Sequence, residues 1–305
     1  MPRLAIVLLA GVLAVPALAV PAADANDSET ITVTGERLTR PQLRARSLEF
    51  VRTALADTTH GQHARWQGSI CPRVFGAQPA TEALFLERFR TAADVLGVRT
   101  EDPGCQPNIV VWFTADAKGL MRRISAHTPD HLEDTSPADR RRLLDGDDPV
   151  RWFYSTNPQG SSGQIIGEGS AAIGAQLGTA NTPVVNNRLT ASRLSTGTRV
   201  ALTGATIIID VPSAEGHSLE ALAAQSVMLG FARTRLGKAR PASASILTLF
   251  SPRAPETRPR DLSSIDEAFL VALYKAPDDR QANWQRAFLV SAMVNDLFGA
   301  RRDSR

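Results

Sequence analysis

The chain holds little that would name a chemistry. It carries two cysteines, Cys71 and Cys105, five histidines, and only three lysines, Lys118, Lys238 and Lys275. Neither cysteine has a second Cys or His at ligand spacing beside it, which excludes a thiolate metal site. Beyond residue 25 no apolar run approaches the about 20 residues that a membrane-spanning helix needs. The longest candidate, Ala205-Thr206-Ile207-Ile208-Ile209-Asp210-Val211, is of strand length. A mature chain without a transmembrane span is expected. Net charge is only +3, and the densest basic run, Arg140-Arg141-Arg142, is ringed by Asp139, Asp145, Asp147 and Asp148. A phosphate-tracking surface needs an unbalanced basic stripe, so nucleic acid is not an expected partner. The scarcity of lysine reads as codon bias and bears on no function.

Reaction motifs are missing too. Gly167-Glu168-Gly169-Ser170-Ala171-Ala172-Ile173-Gly174 is one spacing too long for a dinucleotide fingerprint, and no lysine follows to complete a phosphate loop. Gly160-Ser161-Ser162-Gly163 lacks the spacing of a serine nucleophile elbow. Asp147 and Asp148 stand in a polar turn before Pro149. His127 and His131 are four apart, but Pro129 between them disfavours a regular turn, and His60 and His63 share a polar Gly-containing loop. His217 precedes a helix that carries Glu220. All five histidines read as surface or capping groups. His217 and Glu220 are the weak candidates for a catalytic pair, and neither a metal nor a cofactor is expected.

The most informative stretch that is present is the first 25 residues. Arg3 precedes an uncharged apolar run over residues 4–15, and small residues close it at Ala17-Leu18-Ala19 and again at Ala23-Asp24-Ala25. That is the layout of a secretory signal, cut to leave a chain beginning at Val20 or Asn26. Pro16 and Pro21 and the shortness of the run argue against a membrane anchor. Export to the periplasm or the medium is the expected localisation. No cysteine follows the run to accept a lipid. In an exported chain an even cysteine pair implies a Cys71–Cys105 disulfide.

Residues 26–40 read as a flexible tail, and residues 41–305 as one domain with a sizeable core. Leu43, Leu48, Val51 and Leu55 mark a first helix opened by Pro41. Residues 70–76 give a short strand. A longer helix, capped near Thr81 and stopped by Gly97, precedes the clearest strand, Asn108-Ile109-Val110-Val111-Trp112-Phe113-Thr114. Being apolar on both faces, this strand is expected to be central. Helix broken at Pro129 and Pro137 follows, then a strand over residues 149–154. Residues 157–198 are Gly-, Ser-, Thr- and Asn-rich and read as a loop or β-excursion. Residues 199–211 return to strand, with a hairpin expected about Thr203-Gly204. A helix follows from Leu219 to Arg233, with Leu219, Leu222, Ala223, Val227, Met228 and Phe231 inward. A buried segment comes over residues 245–250, and two further helices complete the chain. The expected fold is mixed α/β, a central mixed sheet packed by helices.

From Ile207 onward the order of elements resembles the second half of a metzincin-type peptidase domain. The matching positions read Ile207-Ile208-Ile209-Asp210-Val211, His217-Ser218-Leu219-Glu220-Ala221-Leu222 and Ser245-Ile246-Leu247-Thr248-Leu249-Phe250, ending with Leu262-Ser263-Ser264-Ile265-Asp266 through Leu273-Tyr274. That family needs His-Glu-x-x-His on one helical face to hold zinc and place a carboxylate beside the attacking water. Here Ser218 follows His217 and Ala221 stands four after it. The resemblance therefore implies a zincin-like scaffold without the zinc site. The chain as a whole resembles exported bacterial proteins, which adds a compartment and no activity. The function expected is a non-catalytic binding or accessory protein whose partner is an envelope protein or a small ligand. The alternatives are a hydrolase with a dispersed site, and a small-ligand binder using the Gly-rich excursion as a lid.

Overall fold

A computed structural model describes residues 38–58, 60–160, 195–237, 245–251 and 258–303. The signal segment, residues 26–37 of the tail and the middle of the Gly-rich excursion (161–194) lie outside the described residues. From Leu38 the chain forms one compact unit. The first helix, α1 (Arg40–Ala54), opens on a capping box in which Thr39 and Gln42 satisfy each other's backbone N–H. Its inward residues are Leu43, Ser47, Phe50, Val51 and Ala54. Leu48, expected inward, is 46 % exposed. Phe50 takes the buried stripe instead and meets Phe269 at 5.2 Å.

Two short strands follow, β1 (Arg65–Trp66) and β2 (Pro72–Phe75). Helix α2 (Pro79–Leu96) starts earlier than the Thr81 reading placed it, with Gln78 as N-cap and Pro79 in the first turn. Gly97 ends it at φ 69°, a left-handed conformation that glycine adopts without Cβ strain. The next strand is β3 (Ile109–Thr114). Cys71 and Cys105 are bridged with Cα atoms 6.1 Å apart. Asn108 fixes the same corner, accepting from the Cys71 N–H at 2.7 Å and donating to the Ser69 carbonyl.

Helices α3 (Ala117–His127) and α4 (Pro137–Asp145) flank a 3-10 turn, Pro129–Leu132, so both prolines begin new helical segments as their fixed φ favours. The sheet is completed by a long antiparallel ribbon, β4 (Val150–Gly160) and β5 (Thr198–Asp210), paired along its whole length. The hairpin expected about Thr203-Gly204 is not there. The chain runs straight through both residues, and the register shift opposite Ser155 and Thr156 is an irregularity within the ribbon. A Cβ on Gly204 would lie 3.4 Å from Ser155, so this glycine serves close approach rather than a turn.

Strand β5 is the organising strand. Along one edge it pairs antiparallel with β4, and along the other it pairs parallel with β3 and, nearer its start, with β1; β2 lies outside β3. The expected interior position of β3 therefore holds. Side chains of β4 and β5 alternate between two buried faces, as a strand period of two requires. Trp152, Tyr154, Ile207 and Ile209 enter the main core, whereas Phe153 and Ile208 enter a second cluster with Met121, Leu132 and Leu143 beneath α3 and α4. The sheet is thus covered on both sides, the mixed α/β architecture that the pattern of elements anticipated.

After β5 come a single turn, α5 (Val211–Ala214), and α6 (Leu219–Phe231), capped by Ser218. Every residue of α6 from Ala221 to Phe231 is buried, while Leu219, expected inward, is 41 % exposed. A 3-10 turn over Ile246–Thr248 leads to α7 (Ser264–Lys275), opened by a Ser263/Asp266 capping box, and then to α8 (Ala282–Asp303). No helix among the described residues is long and apolar enough to cross a membrane.

Candidate functional site

The N-terminal turn of α6 borders a cavity of about 710 Å³ lined by His217, Ser218, Glu220, Ala221, Leu249 and the segment 258–261. The two residues singled out in the sequence, His217 and Glu220, are therefore brought together. The local reason is the cap: the Ser218 hydroxyl accepts from the Ala221 N–H, so His217 falls just outside the helix and Glu220 within its first turn. The imidazole packs on Phe250 with ring centroids 4.3 Å apart. Its Nδ1 lies 3.3 Å from the Ala214 carbonyl. A carbonyl only accepts, so Nδ1 is the donor in this contact, and Nε2 lies 3.4 Å from the Arg258 guanidinium.

Arg258 and Arg260 both line this cavity, and sequence reasoning missed them. They lie some forty residues beyond the histidine, in a stretch without periodicity, so no local signal pointed to them. Asp261 is also on the wall, but its carboxylate is bonded to Arg88 of α2 and is held below the usual carboxylate range, the Arg88 and Leu262 N–H bonds outweighing burial. Glu220 has no such partner among the described residues and shares the cavity wall with the two arginines.

Asp266 ties the 3-10 turn that precedes Leu249 to the start of α7. Its carboxylate, fully buried, accepts from the Ser245 hydroxyl at 2.5 Å, the Ile246 N–H at 2.9 Å, and both the hydroxyl and N–H of Ser263. Burial pushes this carboxyl up, and the four donors oppose that shift. The 3-10 turn and the start of α7 are thereby held as one piece.

The remaining histidines do not join the cavity. His127 bonds the Arg123 carbonyl at the end of α3, His131 is exposed in the following turn, and His60 lies 3.7 Å from Asp134. His63 is buried, its backbone N–H donating to Gln285. Asp134, Arg233 and Arg235 line a second cavity of about 510 Å³ beside β4. Its polar groups bond one another: Asp134 accepts from the Thr156 N–H and hydroxyl, and Arg233 donates to the Asp57 and Asp134 carbonyls. A third groove runs along the same face of α6 as Glu220. Comparison with family models, curated proteins and solved structures finds no match to this chain.

Proposed function

We propose that the protein is an exported, non-catalytic binding or accessory protein on a zincin-like scaffold, taking a small anionic ligand at the N-terminal end of α6. The observation that carries this reading is the composition of the 710 Å³ cavity: two guanidinium groups, one imidazole and a helix start, set against Glu220, a carboxylate without a partner among the described residues. Cavities of this size, within the roughly 300–1,000 Å³ of small-molecule sites, hold ligands by a few convergent polar groups.

The zincin-like part of the reading is supported by the order of elements. A central strand, β5, with an antiparallel partner outside it feeds the helix that follows; a tight turn and a helix opening Leu262-Ser263-Ser264-Ile265-Asp266 come next. The residues present do not fit a catalytic zinc. Such a metal needs three protein ligands and an open position, and the cavity has a single imidazole with Ala221 where the second would stand. Among the described residues no three His, Cys, Asp or Glu side chains are grouped to hold a metal ion. Export is supported by the signal-like leader and by the disulfide, which persists in oxidising compartments.

The test is a thermal-shift titration of the purified protein with acetate, succinate and inorganic phosphate, with and without the Arg258→Ala/Arg260→Ala pair. At a ligand concentration about one hundred times Kd, stabilisation is about 2.7 kcal/mol, which the double variant should lose. A ligand-independent Tm in the parent protein, or a fall in Tm on chelation that zinc restores, would overturn the reading.

A further inference from the structure

A neighbouring surface, which shares Asp261 with the anion cavity, carries a separate inference. Between α2 and α7, with α6 as its floor, lies a groove of about 390 Å³ lined by Ala92, Val95, Leu96, Ala224, Val227 and Val271. Glu220, Ala224 and Val227 stand four and three residues apart, so this groove continues the α6 face on which the first cavity begins. Val95 at its lip is 69 % exposed, the most exposed large apolar side chain among the described residues. Isolated exposed apolar residues need no explanation, but one that extends an apolar trough does.

The rim is acidic. Asp261, Glu267 and Asp296 face the single cation Arg88, and Arg88 is already paired with Asp261. Two carboxylates, Glu267 and Asp296, are left over in a chain whose net charge is +3. Burial, joined by the charges of Asp261, Asp266 and Asp296, pushes the Glu267 carboxyl up. The groove thus holds negative charge that an incoming cation would relieve.

We propose that this groove docks a basic amphipathic helix of a partner polypeptide, its apolar side chains on the α6 floor and its Lys or Arg side chains against Glu267 and Asp296. Two helical walls and an apolar floor match the geometry in which a helix lays its apolar face into a groove. Val95, on the lining and exposed, carries the groove's apolar surface out to solvent, where a helix lying across the lip would cover it. The acidic rim repels an anionic membrane surface and selects a cationic partner.

The experiment uses the mature full chain and fluorescein-labelled synthetic peptides, read by anisotropy at about 0.15 M salt. The probes are a Leu/Lys peptide with one apolar helical face, the same composition scrambled to destroy that face, and a Leu/Glu counterpart. The facial Leu/Lys peptide should bind, the other two should not, and Val95→Ser should weaken binding without altering charge. Glu267→Gln/Asp296→Asn should weaken it by about tenfold or more. Because both carboxylates are on the surface and Glu267 is crowded by like charge, this variant should keep or raise the parent Tm; if Tm falls, Glu267→Lys/Asp296→Lys supplies the second arm by switching preference to the Leu/Glu peptide. Equal binding of the facial and scrambled peptides, or equal binding to parent and double variant, would overturn the proposal. So would stabilisation by dodecylammonium without peptide binding, which marks a small-amphiphile site, or a dimer that the double variant dissolves, which marks a second copy as the occupant.

Discussion

Acidification should weaken this protein through one side chain, His63. His63 is 8 % exposed, its Nε2 has no hydrogen-bond partner among the described residues, and its pKa is lowered from 6.5 to about 4. Burial is the main cause; Arg286 and Arg233 add to it and Asp57 opposes it. A base whose pKa is depressed by folding binds protons more readily when unfolded, so its share of stability is intact above pH 6.5 and is lost as pH falls towards 4. At pH 5 the unfolded chain has taken up the proton and the native one has not, at a cost of about 2 kcal/mol; well below pH 4 the loss tends to about 3 kcal/mol. Other groups titrate in the same window, so the measurement is a difference: urea unfolding at pH 7 and pH 5 for the parent and for His63→Gln. The parent should lose about 2 kcal/mol more than the variant between the two pH values. Equal losses would show that His63 is solvated or finds a partner for its proton, and the burial argument would be wrong.

Three further outcomes are expected. Replacing Cys71 and Cys105 by serine opens a loop with a sequence separation of 34 and should cost about 4 kcal/mol on the chain-entropy model, read as a lower urea midpoint; an unchanged midpoint would mean that the packing at Asn108 holds the corner alone. Asp266→Ala leaves four donors without their acceptor, two of them buried, and should destabilise by about 3 kcal/mol or more, whereas Ser263→Ala, which removes the cap bond and one of the four donors, should cost about 1 kcal/mol; similar losses for the two would refute the central role of the carboxylate. His217→Ala should cost no more than about 1 kcal/mol, the loss of a half-buried ring contact with Phe250, and chelation should leave Tm where it was; a chelator effect abolished in the variant would restore a metal site to consideration.

Much of the local structure was legible in the chain because its causes are local. Pro41, Ser263 with Asp266, Gly97, Pro129 and Pro137 act within one turn of themselves, and each stands where a helix starts or stops. The two-sided apolar run of β3 announced an interior strand, and the lone cysteine pair announced its own bridge. His217 and Glu220 were visible because their positions around a helix start follow from the Ser218 cap. The tertiary structure alone decided which side of an ambiguous helix is inside, turning Phe50 in and Leu48 out on α1, since the difference comes from what packs opposite, Phe269. It also carried β4 and β5 through Gly-, Ser- and Thr-rich residues with no alternation to read, because there each strand owes its order to hydrogen bonds with the other. Arg258 and Arg260 reach the His217 cavity by the same kind of long-range closure. The entropy of bringing such distant residues together is met by the whole core at once, and so leaves no mark on the residues themselves.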